Sequence, residues 1–149
     1  MTLTMREICR EDRELVLPMV EQFYHSDAVD HVVPMEALER SFEAAADPNQ
    51  PLLRGFLLCE GECPVGFLYL TFCYSCEVGG ECLFIEELFV QEEFRGRGFG
   101  KAVIDWLVKE YPNCRRLRLE VTQVNQRAIG LYEKCGFTWL QYGQMVLDR

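Results

Sequence analysis

The chain has 149 residues, 49% of them hydrophobic and 26% charged, and its 24 acidic against 15 basic side chains leave a net charge of −9. That length suits a single domain spanning residues 1–149, and the acidity argues against nucleic acid, whose phosphates most of the surface would repel, and favours a cationic partner. No run of about 18 apolar residues is available to span a bilayer; residues 1–12 show no basic patch leading into an apolar stretch, so the expected setting is cytoplasmic, away from membranes.

A short strand is expected around Leu3–Ile8. A helix should follow from about Asp12 to Tyr24, because Leu15, Val16, Met19, Val20 and Phe23 recur at helical spacing. "YHSDAVDHVV" reads as a loop; Pro34 suits the first turn of a second helix whose apolar face is Met35, Leu38, Phe42 and Ala45. Beyond Pro51 the pattern turns to strands: "LLRGFLLCE", a tight "GEC" turn, "PVGFLYLTFCYSC", a Gly79-Gly80 turn and "ECLFIEELFV". These three form an antiparallel meander, the last two apolar on both faces and therefore central and covered on both sides. A third helix is expected from Gly98 to about Tyr111, a strand at "RRLRLEV", a last helix capped by Asn125 and ended by Gly136, and a closing strand at "FTWLQYGQMVLD". No repeat or linker interrupts this order, which describes a mixed α/β (α+β) fold: a central, mostly antiparallel twisted sheet flanked by helices on both faces.

Eight cysteines invite a disulfide or zinc reading, yet most lie in apolar runs. Cys73-x-x-Cys76 falls in a segment read as strand, where residues three apart point to opposite faces, and no second pair accompanies it. Buried free thiols and no metal site are the expectation.

The run "FRGRGFGK" (94–101) reverses the sign of the chain locally. A P-loop needs glycine five positions before Gly100 and a hydroxyl after the lysine, but those positions hold Arg95 and Ala102. A dinucleotide fingerprint needs a third glycine where Lys101 or Val103 stands. What remains is Arg95-x-x-Gly98-x-Gly100 between a strand and a helix, a turn whose glycines let backbone approach an anion and whose helix-end N–H groups point outward. Further along stands Asn125-x-x-Ala128-x-x-x-Tyr132-x-x-x-Gly136-Phe137. Together, over about Val65–Phe137, the two motifs resemble the acetyl-CoA signature of the GCN5-related N-acetyltransferase (GNAT) superfamily; the front third agrees only in its element order.

The resemblance implies that Arg95, Gly96, Arg97, Gly98, Phe99, Gly100 and Lys101 hold the pyrophosphate of acetyl-CoA through their backbone N–H groups, aided by basic side chains and the helix dipole. It also implies that Leu88, Phe89 and Val90 line the cosubstrate, with the Val90 N–H meeting the oxyanion, and that Asn125 contacts it besides capping its helix.

An acceptor ammonium with a pKa of about 10.4 must lose a proton before it attacks. Glu86 and Glu87 in "IEELFV" are the candidate acceptors, expected by strand alternation to face opposite sides of the sheet. Resemblance to polyamine acetyltransferases singles out Glu86, acting through water, and makes Tyr132 the group that shares its proton with the leaving thiolate. His25 and His31, near Asp27, Asp30 and Glu36, sit where the superfamily builds its acceptor pocket; with Glu86 and Glu87 they are candidate substrate contacts, although ordinary loop histidines are the favoured reading.

The implied reaction is direct attack by a small-molecule primary amine on acetyl-CoA, with a polyamine or another small cation as acceptor. A protein or peptide amine, an aminoglycoside, or a non-catalytic acyl-CoA-binding module are the alternatives. A homodimer is the superfamily's common state, with "WLQYGQMVLD" available to build it.

Overall fold

The computed structural model describes residues 2–149. Five strands form one sheet in sequence order: β1 (Leu3–Glu7), β2 (Leu53–Glu60), β3 (Cys63–Ser75), β4 (Gly80–Val90) and β5 (Arg116–Leu119). The first four pair antiparallel and β5 joins β4 in parallel, which requires the crossover helix α3 (Phe99–Glu110). Helices α1 (Arg13–Tyr24) and α2 (Met35–Ala46) cover one face. On the other face α3 packs closely and α4 (Gln126–Lys134) joins through its partly buried Tyr132.

Two cores result, one on each side of the sheet. Val16, Val20 and Phe42 pack with Phe67 and Tyr69 under α1 and α2; Leu68, Leu70, Leu83, Val103 and Leu107 pack under α3. β3 feeds both by alternation, which is why it reads as apolar throughout. At the start of α1, Asp12 accepts two bonds from the Arg6 guanidinium, at 2.8 and 2.9 Å, and one from the Cys9 N–H at 2.9 Å. This fork ties β1 to α1, and the Arg6 contact is the main reason the Asp12 carboxyl sits at about 2.

The β3–β4 ladder contains a bulge. Tyr69 pairs with Glu87 and Leu70 with Ile85, so Glu86 is an extra residue on β4. The consequence is a change of face: Leu83 and Ile85 belong to the α3 core, whereas Phe89 belongs to the α1–α2 core and Glu87 reaches Tyr24 of α1. Beyond the bulge Gly66 of β3 opposes Val90, so close to the Phe89 carbonyl that a Cβ has no room.

Three expectations are corrected. The closing strand is not formed: residues 138–149 belong to no ladder. β5 is only four residues long, so the adjacent edge offers few free backbone groups, and the segment meets the rest of the chain through a 2.7 Å bond from the Tyr142 hydroxyl to Glu77 instead. Cys76 lies outside β3, in the turn that follows Ser75. Glu86 and Glu87 do not face opposite sides, because the bulge interrupts alternation between them; both act on Tyr24.

Gly66→Ala should cost about 2 kcal/mol or more, since neither backbone segment can retreat without breaking the ladder. Urea unfolding of the two proteins measures this; an unchanged midpoint would show that the strands separate freely at this point.

Candidate active site

A cleft of about 890 Å³ opens where β4 ends, between α3 and α4 and under the loop that follows α1. Its floor is Leu88, Phe89 and Val90. The segment after β4 turns through Glu92–Phe94, then places Gly96 at φ 76° and Gly98, the N-cap of α3, at φ 82°. Both lie in the left-handed region that favours glycine. The N–H groups of the first α3 turn have no acceptor within the helix, and Phe99, Gly100 and Lys101 line the cleft. Gly100 serves packing as well: a Cβ there would lie 2.6 Å from Leu131 Cδ2, so glycine lets α4 approach α3.

The basic side chains of this turn are largely engaged with the protein itself. Arg95 donates from Nε to the Val90 carbonyl at 2.8 Å and lies over the Phe89 ring. Arg97 pairs with Glu60 of β2 at 2.6 Å, lies over Phe99 and is absent from the cleft lining. Lys101 pairs with Asp105 one helical turn on, at 2.7 Å. Arg95 and Lys101 nonetheless line the cleft, as do Arg127 and Lys134 of α4 on the opposite wall. Those two went unnoticed in the sequence, although their spacing of seven places them on one helix face with Gly130 and Leu131.

α4 supplies two more of the expected residues. Asn125 Oδ1 accepts from the Ala128 N–H at 3.3 Å, the N-cap bond its position suggested. Tyr132 lines the cleft about two helical turns further along the same wall, half-buried and edge-on to Phe137, and burial pushes its hydroxyl up to about 12. At the opposite lip the loop after α1 contributes Ser26, Asp27 and Ala28, which the sequence reading did not assign to the cleft lining. The Asp27 carbonyl accepts a bond from the Thr122 hydroxyl, joining this loop to the segment before α4.

The acidic pair lies behind the floor. Glu86 is exposed and accepts from the Thr71 hydroxyl at 2.8 Å. Glu87 is 9% exposed; its Oε2 accepts from the Tyr24 hydroxyl at 3.1 Å, while Oε1 and the buried Tyr69 hydroxyl have no partner among the described residues. Burial raises the Glu87 carboxyl to about 7 against the pull of the Tyr24 bond, and the nearby Glu86 adds to the rise. Neither carboxylate lines the cleft directly, but each is one or two residues from Leu88, and Tyr24 adjoins the lining residue Phe23. His25 and His31 are not brought to the site. His25 is exposed and bonded through Nδ1 to the Glu21 carbonyl at 2.7 Å, and His31 meets Asp30 at 3.0 Å.

The model of the acetyltransferase (GNAT) family matches residues 17–137, which contain the cleft and both of its walls. The chain belongs to the GNAT acetyltransferase family. Thialysine N-epsilon-acetyltransferase of Bos taurus is 34% identical over 79 residues, 52% of this chain and 46% of that protein. Spermine/spermidine N(1)-acetyltransferase of Bacillus subtilis is 31% identical over 58 residues, 37% of this chain and 38% of that protein. The chain spans about half the length, or less, of the curated relatives it matches. Among solved structures, AAC(6')-Iy in complex with the bisubstrate analog CoA-S-monomethyl-acetylneamine superposes with a TM-score of 0.76 at 18% identity, covering 100% of this chain and 99% of that one. The family resemblance read from the two motifs is thus shown, and so is the GNAT-type fold.

In this GNAT domain Glu87 makes stability depend on pH. Its carboxyl is raised from 4.5 to about 7, so the folded protein binds the proton more tightly than the unfolded chain. The associated stability is complete below pH 4.5 and is lost as pH rises through 7, by at most about 3 kcal/mol. Glu87→Gln should remove this fall and be more stable than wild type at pH 8 but not at pH 4.5. Urea midpoints at the two pH values measure it, and parallel curves for the two proteins would place the carboxylate in water.

Proposed function

We propose that this protein transfers the acetyl group of acetyl-CoA to a primary amine by direct attack in a ternary complex, with a small cationic amine such as a polyamine as the acceptor. One observation carries the reading: a glycine turn at a helix N-terminus, the end of β4, and a half-buried tyrosine on the facing helix line one cleft. The fit to the cosubstrate is good. Gly96 and Gly98 present backbone without side chains, the α3 N-terminus favours a pyrophosphate, and Arg95, Arg127 and Lys134 are the cations at hand. The adenine-nucleotide end lies against this turn, and the thioester follows the β4 floor toward Tyr132.

In this reading the Val90 N–H stabilises the oxyanion that forms as the amine attacks. Tyr132 then donates its proton to the leaving thiolate; its raised affinity for that proton keeps the hydroxyl protonated in the ground state. The acceptor's proton leaves toward the acidic pair. Glu86, solvent-facing and held by Thr71, takes it through water, with Glu87 close behind. The exposed Asp27 at the opposite lip attracts a cation. Thialysine and polyamine acetyltransferases among the relatives agree with a small cationic acceptor. A cytoplasmic site of action accompanies this proposal, as does a homodimer in which the unladdered apolar segment 138–147 meets its counterpart.

Thiol release from acetyl-CoA across polyamines, amino acids including thialysine, aminoglycosides and short peptides tests the reading. Turnover is expected with small cationic amines, and Tyr132→Phe and Glu86→Gln should each lower kcat about a hundredfold while acetyl-CoA affinity holds. Retained kcat in Glu86→Gln together with loss in Glu87→Gln would move the proton to the buried carboxylate. Tight acetyl-CoA binding with no thiol released by any amine would make the domain a binding module.

A further inference from the structure

Eight free thiols play no part in acetyl transfer, and two of them are opposed across a ladder. Cys73 of β3 and Cys82 of β4 are direct antiparallel partners, the only two cysteines so placed among the described residues. Opposed residues project their side chains from the same face with Cβ atoms roughly 4.5–5.5 Å apart. A disulfide asks for roughly 3.5–4.5 Å between Cβ atoms and 4.4–6.8 Å between Cα atoms, within reach of a small adjustment of two strands already in register.

The surroundings give the two thiols different roles. Cys73 is exposed, while Cys82 is fully buried. Burial first, then the adjoining Cys73, push the Cys82 thiol up to about 11, and Arg118 and Arg116 of β5 pull it down. Arg116 is the β5 partner of Cys82, on the strand opposite the one that carries Cys73, and its guanidinium pairs with Glu77 at 2.8 Å. Cys76, the other nearby thiol, is in the turn beyond β3 and has no ladder position opposite either cysteine.

We propose that Cys73 and Cys82 form a thiol–disulfide modification site, which closes to a cross-strand disulfide by exchange with a low-molecular-weight disulfide such as oxidised glutathione. In the first step the Cys73 thiolate attacks one sulfur of the reagent, forming a mixed disulfide and releasing one thiol. In the second the Cys82 thiolate attacks Cys73 Sγ and displaces the second thiol. The protein loses two electrons and two protons, and the reagent is reduced to two thiols. The exposed cysteine is the entry point and the buried one resolves the adduct. The bond would pin the hairpin end of β3–β4, about 25 Å along β4 from the glycine turn, so acetyl-CoA binding is expected to persist in the oxidised protein.

The test is to incubate the folded protein with oxidised glutathione, block remaining thiols by acid quench and alkylation, and map peptides after cleavage at Glu77 and Glu81. The expected product is a Cys73–Cys82 linked pair lighter by two hydrogens and reversed by dithiothreitol. Its yield should fall at least about tenfold in Cys73→Ser, a substitution at an exposed site, and persist in Cys76→Ser. A Cys73–Cys76 link overturns the proposal. So does a glutathione adduct that stays on Cys73 while Cys82 is alkylated, or a Cys73 that does not react.

Discussion

The site depends on one irregularity in the β3–β4 ladder. Without the extra residue at Glu86, strict alternation would place residue 87 on the face that holds Leu83 and Ile85, in the apolar core under α3. A carboxylate there would lie among apolar side chains such as Leu68, Leu70 and Val103, on the face away from Tyr24. The bulge sends Glu87 to the α1 side, where a hydroxyl is available, and carries Phe89 with it into the α1–α2 core while Leu88 and Val90 complete the other. Bulges bend and twist their strand locally, and this one precedes the end of β4 where the cleft opens. Gly66, pressed against the Phe89 carbonyl, holds the two strands together just past the bulge.

The glycine turn shows how little of a local charge excess reaches a ligand. Its two arginines and lysine are each bound to a protein group: a carbonyl for Arg95, a carboxylate for Arg97 and another for Lys101. Arg97 and Glu60 fasten the turn to β2, so this ion pair between a half-exposed guanidinium and a buried carboxylate holds backbone shape. Peptide N–H groups of the α3 terminus face the cleft, and Arg127 and Lys134 of α4 line it beside the engaged Arg95 and Lys101. Electrostatic attraction and geometric fit are thus divided between two elements far apart in sequence.

Much of this was legible in the chain. The meander, the third helix and the cap and stop of the last one follow from periodicity and from Gly79, Asn125 and Gly136, because each depends on neighbours a few residues away. Residues of the two motifs come to line one cleft, each motif being local to its own turn or helix. The bulge was not legible: alternation counts positions along one strand, whereas a bulge is a property of its pairing with another. Arg127 and Lys134 were missed because their role appears only when α4 lies against the turn. The closing strand failed for a related reason, since apolar alternation at 138–147 states a preference and a ladder needs an edge long enough to accept it.

The cleft is polarised along its length. Arg95, Lys101, Arg127 and Lys134 line it together with the α3 N-terminus, Asp27 lines the opposite lip, and the chain as a whole carries nine surplus negative charges. An anion is drawn toward the first end and a cation toward the second, and neither is favoured at the other's place. Behind the floor, Glu86 and Glu87 share one side of the β4 bulge, and burial first, then the nearby Glu86, raise the inner carboxyl to about 7. In the proposed reaction, a proton on the inner carboxyl would lessen the repulsion of an oxyanion forming above the floor of the cleft, while the solvent-facing Glu86 is the destination for the proton of the ammonium.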